Sequence, residues 1–142
     1  MRRFIALLAF WVATAAVADG VTTYVTEDSF DDAVFALESA IVEHGLVIEN
    51  TSHVGRMLRR TGEDVGSARK IFDNATVFSF CSAVVSRKVM EADPMNIAYC
   101  PYTLFVAERE GVVTIGFRNY PAGPMQAVQG LLDGIVREAA GR

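Results

Sequence analysis

Residues 81–120 read CSAVVSRKVMEADPMNIAYCPYTLFVAEREGVVTIGFRNY, and a helix, a loop and two strands follow one another within them. Residues 82–93 form the helix: Ser82 can cap its start, and Pro94 blocks its continuation because proline lacks the N–H that the next turn needs. Pro101 is tolerated only at the start or edge of a strand, so the following strand begins at about Thr103. Gly111 then turns the chain into VVTIGFRNY (112–120), which makes a hairpin.

The pattern continues in both directions. ATVFSFC (75–81) is strand-like, and beyond the hairpin Met125, Val128, Leu131, Leu132, Ile135 and Ala139 line one face of a helix over residues 124–140. Near the start, VTTYVTE (21–27) reads as a strand. Phe30, Ala33, Val34, Leu37, Ala40, Ile41 and His44 recur at helical spacing behind the capping residue Ser29, with Asp31 and Asp32 at the positive end of the dipole and Gly45 as the stop. LVIENTS (46–52) is a further strand, followed by a short helix around residues 55–62 and a polar connection to about Asn74. Helices and strands interleave, yet one strand pair is a hairpin. The expectation is an α+β fold, a single two-layer domain with a mixed β-sheet and helices packed on one face. The second sheet face then calls for cover, which predicts a homodimer.

The first 18 residues, MRRFIALLAFWVATAAVA, combine Arg2 and Arg3, an apolar run and an A-x-A ending. They read as a signal peptide, with residues 19–142 as the exported domain, periplasmic or secreted. The run is shorter than the roughly 20 apolar residues that span a bilayer, and no later segment is long enough, so no membrane span is expected after cleavage. The formal net charge of −4 includes both signal arginines, leaving about −6 on the domain, the wrong sign for a nucleic-acid partner.

Chemistry is sparse. Cys81 and Cys100 are the only cysteines, and an exported chain with two of them most simply forms a disulfide. Parallel strands joined by a crossover would hold the pair roughly 20 Å apart, whereas a bridge needs Cα atoms within about 7 Å, a gap that the loop over 94–102 closes if it climbs back along the strand. The alternatives are two inert thiols, or a thiol-redox or metal site. In the last case Cys81 at a helix start is expected to be a thiolate with a lowered pKa, binding copper or a haem iron with Cys100 or His53, or attacking a disulfide. No C-x-x-C is present. Arg56, Arg59 and Arg60 form a basic cluster that can receive a carboxylate or phosphate. No serine has a histidine and a carboxylate at a recognised spacing, so the sequence leans away from an enzyme and towards a binding or accessory protein, with Cys81, Cys100, Pro101 and His53 as candidate residues.

Two motifs carry a resemblance. CSAVVSRKVMEADP followed by YCPYTLFVAE and a glycine hairpin, together with Phe30, Ala33, Leu37, Ala40-Ile41 and His44-Gly45-Leu46, resembles the family called domain of unknown function 302 over about residues 22–120. Many members read Pro-Cys where this chain has Cys100-Pro101-Tyr102, so the second cysteine is displaced. The resemblance implies a small α+β domain that dimerises, points to the start of the Cys81 helix and to Pro101, and implies no particular reaction.

Overall fold

The structure, a computed structural model, describes residues 16–18 and 20–142. Residues 1–15 of the expected signal peptide lie outside the described residues. Its last three, Ala16–Ala18, form a short strand β1 beside β2 (Val21–Thr26). The chain continues through α1 (Phe30–Glu43), β3 (Val47–Ser52), α2 (Val54–Thr61), β4 (Asn74–Cys81), α3 (Ala83–Ala92), a 3₁₀ turn (Pro94–Tyr99), β5 (Tyr102–Arg109), β6 (Val112–Arg118) and α4 (Gln126–Ala139). The sheet order is β1-β2-β6-β5-β4-β3.

The α+β class and the single domain hold, but the expected mixed sheet does not: every neighbouring pair is antiparallel. The difference lies between β4 and β5. A parallel crossover would carry the chain back along the whole sheet. Here the ten-residue α3 leaves the end of β4, and the 3₁₀ turn brings the chain back to that same end. Asp93 caps the turn through Met95 N, Asn96 Nδ2 donates to Val89 O at 2.8 Å, and the Cys100–Pro101 peptide is cis at its exit. Phe80 therefore sits opposite Tyr102.

Alternation along the strands sorts the two faces. Thr76, Phe78 and Phe80 of β4, Tyr102, Leu104 and Val106 of β5, and Val113, Ile115 and Phe117 of β6 are all buried, under α1 and α4. Helix α1 contributes Ala33, Leu37, Ala40 and Ile41, and α4 contributes Val128, Leu132, Ile135, Val136 and Ala139, both at the expected helical spacing. The two helices are tied at their ends by His44 Nε2 and Glu138 Oε2, 3.0 Å apart. The opposite face, with Val77, Ser79, Thr103, Phe105 and Thr114, is only partly buried.

Two glycines carry the sheet geometry. At the β5–β6 turn, Glu110 and Gly111 have φ of 53° and 76°, the pair of left-handed residues that a two-residue hairpin needs. At Gly116 a Cβ would lie 2.5 Å from Thr22 O and 2.8 Å from Phe105 Cζ, so the phenyl ring lies on bare backbone.

Candidate functional site

Return of the chain through α3 places Cys81, the last residue of β4, beside Cys100, just before β5. The separation expected from parallel strands is absent because both cysteines lie at one end of an antiparallel pair. Both are free thiols, both are half-buried, and Cys100 lies close enough to Cys81 to disfavour its thiolate. Ser82, not Cys81, caps α3: its Oγ accepts from Val85 N at 3.3 Å.

Cys81 is therefore not the activated thiolate that a helix start suggested. Burial, then the neighbouring Cys100 and the charge of Glu49, push its pKa up to about 12 from the ordinary 9.0. Glu49 lies where the β3–β4 register shifts between Ile48 and Asn50. A raised thiol pKa favours the folded state while the thiol keeps its proton. That contribution is complete below about pH 9 and is lost as pH rises towards about 12. With the protein kept reduced, iodoacetamide should label Cys81 more slowly at pH 7.5 than a model thiol of pKa about 8.5, with the rate still climbing above pH 10. Peptide mass mapping against pH checks this, and a plateau below pH 9 would contradict it.

A group of tyrosines packs behind the thiols. Tyr102 is fully buried, and its hydroxyl lies 3.0 Å from Ser86 Oγ on α3. Burial raises its pKa, the Ser86 bond works against the rise, and the nearby thiols add to it. Tyr120 stands edge-on to Tyr102, ring centroids 6.1 Å apart, and 5.8 Å from Tyr99. The Arg118 guanidinium lies 5.6 Å from the Tyr99 ring centre and 5.8 Å from that of Tyr120. Tyr120 is 5% exposed, and among the described residues its hydroxyl has no hydrogen-bond partner. Burial pushes its pKa to about 12, with Arg118 opposing and Tyr102 and Cys100 adding to the rise. A buried hydroxyl without a partner costs roughly 1–3 kcal/mol, so something has to hold it there. Nothing in the spacing of Tyr99, Tyr102, Tyr120 and Arg118 singled them out. Their convergence depends on the antiparallel return of β5 and on the bend after β6.

Pro101 lies at this end of the sheet and is exposed. His53 does not join it. His53 precedes α2 and its Nδ1 lies 3.4 Å from Thr76 Oγ1, five residues back along β4 from Cys81, roughly 17 Å of strand. The expected Cys–His combination is thus ruled out by register. Among the described residues, no group of three or more His, Cys, Asp and Glu side chains is close enough to hold a metal ion.

The arginine cluster divides. Arg56 and Arg59 line a cleft of about 170 Å³ with His53, Phe30, Asn74 and Thr76, and Arg59 Nη1 donates to Asp73 O at 3.1 Å. Arg60 is exposed and is not part of that lining. Gly55 lets α2 approach so closely, since a Cβ there would lie 2.6 Å from Ala75 N.

The family model described as "Domain of unknown function DUF302" matches residues 21–139. Among solved structures, the chain is similar to "Crystal structure of uncharacterized conserved protein DUF302 from Bacillus stearothermophilus", at 16% sequence identity and a TM-score of 0.69. That likeness covers 86% of this chain and 99% of the other, and at such identity it speaks for the fold alone. No curated protein matches the chain. Because the matched residues run from the first residue of β2 to the last of α4, taking in both cysteines and both core helices, the protein belongs to the DUF302 family.

Proposed function

We propose that the protein is a non-catalytic binding or accessory protein, exported to the periplasm and acting as a homodimer, with its binding site at the dithiol end of the sheet. The observation that carries this reading is the placement of Cys81 and Cys100, both half-buried, at one end of the antiparallel β4–β5 pair, with the Tyr120 hydroxyl, partnerless among the described residues, within electrostatic reach of Cys100. The groups within electrostatic reach of one or both thiols are Glu49, Tyr102 and Tyr120. They include no imidazole to exchange protons at neutral pH, which favours holding a ligand over transforming one. A second copy on the open sheet face would cover Phe105, Val77 and the exposed Val25 and Val112.

The test is the intact mass of protein from a periplasmic expression, native and then denatured without reductant. The expected result is a chain starting at Asp19, a native mass twice that of the chain, and an adduct present in the native spectrum that Cys81→Ser with Cys100→Ser removes. A chain lighter by two hydrogens and carrying no adduct would instead make the pair a structural bridge, and this reading would fall. Such a bridge closes a loop worth roughly 3 kcal/mol on the chain-entropy account, so reduction would lower the melting temperature and do nothing more.

A further inference from the structure

We infer that the Cys81–Cys100 pair takes a soft monovalent metal ion, Cu(I) or a chemically similar cation, held between the two sulfurs. The inference rests on the dithiol end being the binding site and names its ligand class. Ligand type and number carry it. Thiolates select soft ions, and structural zinc and iron–sulfur clusters in general need four protein ligands. Here two sulfurs come from opposed strand ends, and among the described residues no third His, Cys, Asp or Glu is close enough to complete a larger set. A site of two sulfurs suits a d¹⁰ ion content with two ligands, and does not suit zinc.

The surroundings fit the charge. Two thiolates and a monovalent cation leave one net negative charge, formed as two protons pass to solvent. On the Cys100 side Arg118 supplies a positive charge over Tyr99 and Tyr120, and the partnerless Tyr120 hydroxyl is a donor awaiting an acceptor. On the Cys81 side Glu49 attracts an approaching cation. Tyr102, held by Ser86, stands within electrostatic reach of both sulfurs. The bound complex would thus give Tyr120 the acceptor that it lacks.

The experiment titrates reduced protein with Cu(I) under anaerobic conditions, using bicinchoninate as the coloured competitor and native mass as the count. The expected result is one Cu(I) per chain. Cys81→Ser or Cys100→Ser should each weaken it by more than about 100-fold, and Arg118→Ala or Tyr120→Phe by about 10-fold, as outer groups around metal ligands do. His53→Ala should change nothing, and Zn(II) in tenfold excess should not displace the ion. Tyr120→Phe is the informative variant, because it should fold at least as well as the parent while losing affinity. Equal Cu(I) uptake by both serine variants, or none by the parent, would overturn the inference. The protein as isolated separates that failure from failure of the binding reading: a thiol-dependent adduct whose mass is not that of a metal keeps the reading and removes the metal. Absence of any thiol-dependent adduct removes both.

Discussion

Replacing Phe80 with alanine is expected to lower the free energy of unfolding by about 3–5 kcal/mol. Its side chain is completely buried, faces Ile48 on one neighbouring strand and Tyr102 on the other, and belongs to the face that α1 and α4 cover. Removing the ring loses its transfer free energy and leaves a cavity that a sheet paired on both sides cannot collapse into. A domain of this size is stable by about 5–15 kcal/mol, so the variant should be folded but close to its limit. Urea denaturation measures the effect as a lower midpoint at an unchanged slope. A loss under about 1 kcal/mol would mean that this end of the sheet is not part of the cooperative core. Because Cys81 is the next residue, the same variant should also make the thiol pair easier to alkylate.

Gly116→Ala should cost about 1–3 kcal/mol, from overpacking rather than from a cavity. The added methyl would lie 2.5 Å from Thr22 O, 2.8 Å from Phe105 Cζ and 2.9 Å from Thr23 Cγ2. The phenyl ring can tilt, but the carbonyl belongs to the strand paired with β6, where Thr23 stands opposite Gly116. Relief therefore means spreading β2 from β6. Gly130→Ala on α4 is the matched control. Nothing lies within 4 Å of its Cβ position, the residue is exposed, and alanine should raise stability by about 0.5–1 kcal/mol through helix propensity. If the two substitutions shift the melting temperature in the same direction, the close approach at Gly116 is wrong.

The elements themselves were legible because each carries local signals: Ser29 and Ser82 cap the helices that the sequence assigns to them, Asp31 and Asp32 sit in the first turn of α1, and Gly111 makes the hairpin. Strand direction was not legible. It depends on where α3 and the 3₁₀ turn deliver the chain, and a Pro-Met-Asn-Ile-Ala-Tyr segment has no periodicity that distinguishes a return from a crossover. The site inherited that ambiguity. A parallel β4–β5 pair would hold the cysteines far apart unless the loop between them closed the gap; the antiparallel pair brings them to one end of the sheet. His53 shows the reverse case, since a polar setting next to a strand marked it as a ligand candidate while the register of β4 keeps it from the thiols. The tyrosine cluster had no local signature, because Tyr99, Tyr102 and Tyr120 meet only once three separate segments have packed.

Strand order also sets when this chain can fold as it is made. Beyond the short β1, β2 pairs with β6, close to the C-terminal end of the sequence, while the strand next after it in the chain, β3, lies beyond three intervening strands. A nascent chain that has emerged as far as β4 owns only the β3–β4 pair and whatever β2 gains from β1. The apolar face of α1 then has no β5 to lie on and no α4 to pair with. Closure of the core waits for the last third of the chain, and the largest sequence separations must be bridged at once. Until then the polypeptide stays open enough to be threaded through a narrow channel or bound by a chaperone, and its apolar segments are exposed to aggregation for that interval.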